Sequence, residues 1–110
     1  MGFIIKLLIT SVAAMAAAYF LPGVDIDSFM AALVLALVLA LLNAVVRPVL
    51  VFLTIPVTVL SLGLFLLVIN AVIILLADWL VAGFDTSGFF AALLFSIVLS
   101  IIEAIIDFIF

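Results

Sequence analysis

Four stretches of the chain are apolar almost without interruption, and short polar or Gly/Pro-bearing segments divide them. A helix needs about 20 apolar residues to cross roughly 30 Å of hydrocarbon. Phe3 to Leu21 meets that length, broken only by Lys6, Thr10 and Ser11. Pro22-Gly23 ends it, and Val24 to Ser28 reads as a short solvated turn. A second span runs from Phe29 to Val46, and Arg47-Pro48 is expected to break it, because a residue before proline is pushed out of helical geometry. A third runs from about Ser61 to Val81 and a fourth from Phe89 to the C-terminus, separated by the turn Gly83 to Gly88. Residues 48–60 remain, with Pro48, Thr54, Pro56 and Thr58 among them. As a helix they would reach only about 20 Å, too short to cross. An extended crossing would strand backbone groups in lipid, so this segment is expected to be a short re-entrant or interfacial helix.

A shift of 60 residues superposes the two halves, Gly23 falling on Gly83. Gly23-Val-Asp25-Ile-Asp27-Ser-Phe29-Met-Ala31-Ala32-Leu33 lies on Gly83-Phe-Asp85-Thr-Ser87-Gly-Phe89-Phe-Ala91-Ala92-Leu93, and Tyr19 on Trp79. Asp27 and Ser87 coincide, and both are residue types that accept from the free N–H groups at a helix start. The first span, with its lysine and alanines, has features of a cleavable signal. Its counterpart in the second half is internal, which argues for a permanent span. The expected fold is an all-α integral membrane protein with four transmembrane helices. They form one transmembrane domain, 1–110, as two parallel-repeat helical hairpins (about 3–47 and about 61–110) joined by the connector 48–60.

Composition settles the solvent. Hydrophobic residues make up 75% of the chain and charged ones 7%, against roughly 25% charged in a soluble domain. With no Cys and no His, disulfides, thiolate metal sites and the commonest catalytic base are excluded. Two basic residues cannot neutralise a run of phosphates, so nucleic-acid binding is not expected. Placement of charge sets orientation. Asp25, Asp27, Asp78 and Asp85 belong to the turns, while Lys6 and Arg47 lie at the opposite helix ends. Basic residues favour the cytoplasm, so both termini are expected on the cytoplasmic side and both acidic turns outside.

Small residues supply close packing between helices in lipid. Ala32, Ala36, Ala40 and Ala44 follow Ser28 on the second span at a spacing of four. Ala92, Ser96, Ser100 and Ala104 follow Gly88 at the matching positions of the fourth. The expectation is a central pair, second helix against fourth, with a subunit seam as the alternative. A charge in mid-membrane has to pair, snorkel or line water. The repeat sets Asn43 and Arg47 opposite Glu103 and Asp107, which suggests a structural ion pair between the hairpins; a polar ion path is the sharper alternative. Asn70 is read as an interhelical hydrogen-bonding group. Glu103 and Asp107 are one turn apart but have no nucleophile or metal ligand beside them, so no catalysis, cofactor or small-molecule substrate is inferred.

The run Leu42-Asn43-Ala-Val-Val-Arg47-Pro48, followed by Leu53-Thr-Ile-Pro56 and Gly63-Leu-Phe-Leu-Leu-Val-Ile-Asn70, resembles the four-span phage-holin-like family, holin superfamily IV, with its YvlD-type bacterial membrane proteins. The resemblance runs from the Phe3 span through the Gly83 turn. It implies a small bacterial membrane protein whose phage counterparts oligomerise and open lesions, while an envelope-stress role is suggested for some bacterial ones. Asp107-Phe-Ile-Phe110 brings no charged tail, a departure that weighs against lysis. Three readings follow: a homo-oligomeric structural or envelope-stress component, a pore-forming holin, and a small channel or transporter. The carboxylate that small multidrug transporters carry in their first span is missing from Phe3 to Leu21.

The charge asymmetry yields a topology test. The chain has no native Cys, so single cysteines introduced at residues 2 and 26 report sidedness without interference. Residue 26 should label from outside and residue 2 should not; the reverse pattern would refute the orientation.

Overall fold

The computed structural model describes residues 2–109; Met1 and Phe110, the ends of the expected domain, lie outside the described residues. The chain builds α1 (Phe3–Phe20), β1 (Val24–Ile26), α2 (Phe29–Leu53), α3 (Ile55–Leu60), α4 (Phe65–Leu80), β2 (Phe84–Thr86) and α5 (Phe89–Ile109). Three of these helices, α1, α2 and α5, are long and apolar enough to cross a membrane, and α4 is a shorter apolar helix of 16 residues. The protein is therefore a helical, multi-pass membrane protein.

The turns are more ordered than their polar composition suggests. Each holds a three-residue strand, and the two strands pair antiparallel with Val24 opposite Thr86, Asp25 opposite Asp85 and Ile26 opposite Phe84. The ribbon is extended at both ends: Asp27 N–H donates to the Gly83 carbonyl at 2.8 Å and Ser87 N–H to the Gly23 carbonyl at 2.7 Å. Asp27 is thus used through its backbone. The α2 cap is Ser28, whose Oγ accepts from Ala31 N–H at 3.2 Å. Along each strand the side chains alternate, so Val24 and Phe84 are buried while Asp25 and Asp85 face out.

Pairing the turns decides which helices meet. Because the strands run in opposite directions, the helix entering one lies beside the helix leaving the other. Accordingly α1 packs on α2 and α5, and α4 packs on α5 and α2. Among the described residues α2 and α5 make no backbone approach to each other, and neither do α1 and α4. The expected central pair is thereby replaced by a four-membered ring with α2 and α5 on a diagonal.

Under the ribbon the ring is filled. Ala14, Ala17, Ala32, Leu35, Phe84 and Phe95 are at most 1% exposed, and the rings of Phe84 and Phe95 lie 5.4 Å apart. Most buried positions recur in the second half of the chain, as in Ala17 with Ala77, Leu35 with Phe95 and Leu39 with Leu99. Large apolar side chains such as Ile4, Leu8 and Val12 on α1, or Leu37, Leu41 and Val45 on α2, point outward at four-residue spacing. Outward apolar faces are what a helix shows to lipid. Tyr19 and Trp79 lie exposed near the ribbon ends of α1 and α4, the depth at which amphipathic aromatic rings settle.

Helix α2 continues through Arg47-Pro48 to Leu53, six residues past the break expected from Pro48. A proline deletes one backbone N–H bond, but ending the helix there would leave several more groups without partners in an apolar medium. Continuation is the cheaper outcome. Thr54 ends α2, its Oγ1 donating to the Leu50 carbonyl at 2.7 Å. The connector is correspondingly shorter than 48–60: α3 spans six residues, starts with Pro56 in its first turn and buries none of its side chains. A turn with positive φ at Leu62 and Gly63 leads into α4, which begins at Phe65 and not at Ser61.

Gly23 and Gly83 both have positive φ, and a Cβ at Gly83 would meet the Ala31 Cβ at 3.1 Å. Neither the conformation nor the space suits an L side chain. Gly83→Ala should lower the unfolding temperature in detergent, whereas Gly63→Ala, with open space around it, should lower it less. Phe95→Ala should cost about 3–5 kcal/mol through the cavity it leaves. Equal melting of the two glycine variants would count against the ribbon as the fixed point of the fold.

Candidate functional site: a polar cavity between four helices

Below the apolar plug the ring opens into a cavity of about 360 Å³ in the half away from the ribbon. All four long helices contribute to it. The α1 wall carries Lys6 and Thr10 beside Phe3 and Leu7, and the α2 wall carries Ala36, Ala40, Asn43 and Arg47. Asn70, Ile73 and Ile74 come from α4, and Ser96, Ser100 and Glu103 from α5. Helical periodicity explains the selection. Lys6 and Thr10 are four apart, as are Ala36 with Ala40, Asn43 with Arg47, and Ser96 with Ser100, so each pair shares one face of its helix.

The small-residue ladders therefore divide along their length. Ala32 and Ala92, nearest the ribbon, are fully buried in the core. Ala36, Ala40, Ser96 and Ser100 face the cavity. Ala44 and Ala104 are exposed. On a diagonal, small side chains do not bring two helices together; they leave the space between them empty.

Arg47 has two polar partners among the described residues, and both are amide oxygens. Its Nε donates to Asn43 Oδ1 at 2.9 Å, and its Nη2 donates to Asn70 Oδ1 on α4. No Asp or Glu of the described residues pairs with it. The ion pair expected with Glu103 or Asp107 is thus replaced by a bridge to Asn70. The reason is topological: α2 neighbours α4, while the carboxylates ride on the diagonal α5. Glu103 faces Lys6 and Thr10 of α1 instead, and Asp107 is exposed outside the lining.

Sequence reading brings Asn43, Arg47 and Asn70 forward as buried polar candidates, and the structure joins these three. It understates Lys6 and Thr10, although their common face on an otherwise apolar helix is a usable signal. Another contact unforeseen from the sequence lies at the ribbon end. Asp78 Oδ2 accepts from Thr86 N–H at 3.1 Å and from Thr86 Oγ1 at 2.9 Å, tying α4 to β2. Its counterpart in the first half is Ala18, so this tie exists once.

Residues 1–105 match the family described as mycobacterial 4 TMS phage holin, superfamily IV. The chain belongs to that family. It is 33% identical over 89 residues to the uncharacterized membrane protein YvlD of Bacillus subtilis (strain 168), covering 80% of this chain and 75% of that protein. It is 39% identical over 75 residues to the uncharacterized protein SCO3922 of Streptomyces coelicolor, covering 64% of this chain and 60% of that relative's length. No solved structure matches it. Its four apolar helices agree with the four spans of the family description. Within this holin-like frame Glu103 is the one carboxylate of the cavity among the described residues, and no cluster of three carboxylates stands ready for a metal ion.

The Arg47 bridge can be measured by a double-mutant cycle. Arg47→Leu with Asn70→Leu should show a coupling of about 1.5–3 kcal/mol, the range for hydrogen bonds to charged groups. Arg47→Leu with Glu103→Gln should be additive. A large coupling in the second cycle and none in the first would restore the carboxylate pairing.

Proposed function

We propose that this holin-like protein is a homo-oligomeric, non-catalytic component of the bacterial cytoplasmic membrane, with its termini and cavity on the cytoplasmic side and the ribbon outside. One observation carries the reading. Buried Leu35, Phe84 and Phe95 fill the ring on the ribbon side of the polar cavity, so among the described residues its polar lining does not continue to the ribbon. A barrier of this kind fits a structural or envelope-stress-related part better than a channel or transporter. The two hairpins are read as parallel repeats about an axis along the membrane normal, a reading supported by the symmetric pairing about Asp25 and Asp85. The short α3, exposed and apolar, is read as lying at the cytoplasmic interface. Oligomerisation is supported by the exposed small residues Ala44 and Ala104, which permit close approach by a neighbouring copy.

Membership in a holin family favours a second reading, a lesion formed by many copies. The two separate by experiment. Titrated expression in bacteria, followed with a membrane-potential dye and a leakage assay, should leave the potential intact at levels where cross-linking already detects oligomers. Collapse of the potential at a threshold level would favour the holin reading. Purely monomeric protein under mild detergent would count against both.

A further inference from the structure

The cavity has an imbalance that a structural bridge does not require. Two cations, Arg47 and Lys6, face one carboxylate, Glu103. Glu103 shares the lining with Lys6 and Thr10 of α1, and no carboxylate of the described residues pairs with the guanidinium, which leaves it uncompensated. Asn43 and Asn70 hold it by neutral oxygens, so they fix its direction without cancelling its charge. A guanidinium has five N–H donors. Among the described residues Arg47 has partners for two of them. Because both asparagines present Oδ1 to the arginine, their amide N–H groups are left to donate elsewhere, and Ser100 and Thr10 add hydroxyls to the same walls. The lining is rich in donors and short of acceptors. Its volume of about 360 Å³ corresponds to about a dozen waters at their share of the liquid, enough for a small hydrated ion.

We infer that the cavity binds an oxyanion of phosphate chemistry, seated on the free edge of the Arg47 guanidinium and completed by Asn43, Asn70 and Ser100. Arg forks suit such groups because two parallel N–H donors match two oxygens. The anion lowers the cost of a charge at membrane depth by supplying the opposite one. Its source is either the phosphodiester of an anionic lipid reaching in from the leaflet at the open end, or phosphate free in the adjoining solution. The proposal is independent of whether the protein assembles or forms lesions.

The full chain in uncharged maltoside micelles at low salt provides the test. Inorganic phosphate and dihexanoyl-phosphatidylglycerol are titrated separately, with dihexanoyl-phosphatidylcholine as a charge-compensated control, and heat and unfolding temperature are followed. Saturable binding of phosphatidylglycerol alone assigns the site to a lipid headgroup; saturable binding of phosphate as well assigns it to a free anion. In either case Arg47→Gln should weaken binding by at least about tenfold, the scale of one charge-assisted hydrogen bond. Asn43→Asp guards against misfolding, since it keeps the acceptor for Arg47 Nε in place and neutralises the guanidinium at nearly constant shape. It too should weaken binding at least about tenfold while melting no lower than wild type. Absence of saturable binding to both probes would overturn the proposal, as would wild-type affinity in a folded Asn43→Asp protein.

Discussion

Antiparallel pairing of two three-residue strands, 24–26 with 84–86, is the contact on which the rest of the structure depends. It sits where the chain re-enters water, so its backbone groups could have been satisfied by solvent; satisfying each other instead joins two helical hairpins. The direction of pairing then dictates neighbours. Helix α1 has to run beside α5, and α2 beside α4, which closes a ring and forces α2 and α5 onto a diagonal. Lipid offers no hydrophobic drive between helices, so tight packing and polar contacts have to hold the ring. Near the ribbon, packing does so through alanines and the Phe84–Phe95 contact. Farther away, where the diagonal opens, the Arg47 bridge between α2 and α4 takes over.

That division gives the molecule two unlike halves. Side chains at the ribbon end fill the interior. Those at the other end present an arginine whose two neutral partners orient it while leaving its charge in force. A carboxylate partner would have neutralised the guanidinium and made the bridge a lock. Amide partners keep it available to a third group at the cost of holding an uncompensated charge within a helical bundle. The geometry that makes this possible is the emptiness left by Ala36, Ala40, Ser96 and Ser100. The same small residues that would weld two adjacent helices create a chamber when the helices stand apart.

Membership in a holin family is compatible with this architecture without requiring a pore through one chain. The plug blocks the polar cavity from the ribbon side, and the outward faces carry the large aliphatic and aromatic side chains expected against lipid. On the proposed reading a lesion would form between copies, along surfaces such as the exposed small residues at the open end of α2 and α5. The open half-cavity is a separate property of each copy.

Much of the fold is written in local composition. Apolar runs of bilayer length, Gly-bearing turns and the 60-residue repeat determine the spans, the two hairpins and the placement of four aspartates at the turn end and both bases at the other, because each depends on residues close together in sequence. Asn43, Arg47 and Asn70 are legible as polar groups needing partners, since lipid gives them none. Tertiary structure alone decided who those partners are. The repeat aligns Arg47 with Asp107, but alignment by symmetry puts equivalent residues across the dyad, on helices that do not touch. The pairing direction of two short strands, invisible in hydropathy, set α4 and not α5 against α2, and so gave the arginine an asparagine. Pro48 shows the same limit at smaller scale. Its local preference is to end a helix, and the apolar surroundings, which penalise every unpaired backbone group, carried α2 past it to Leu53.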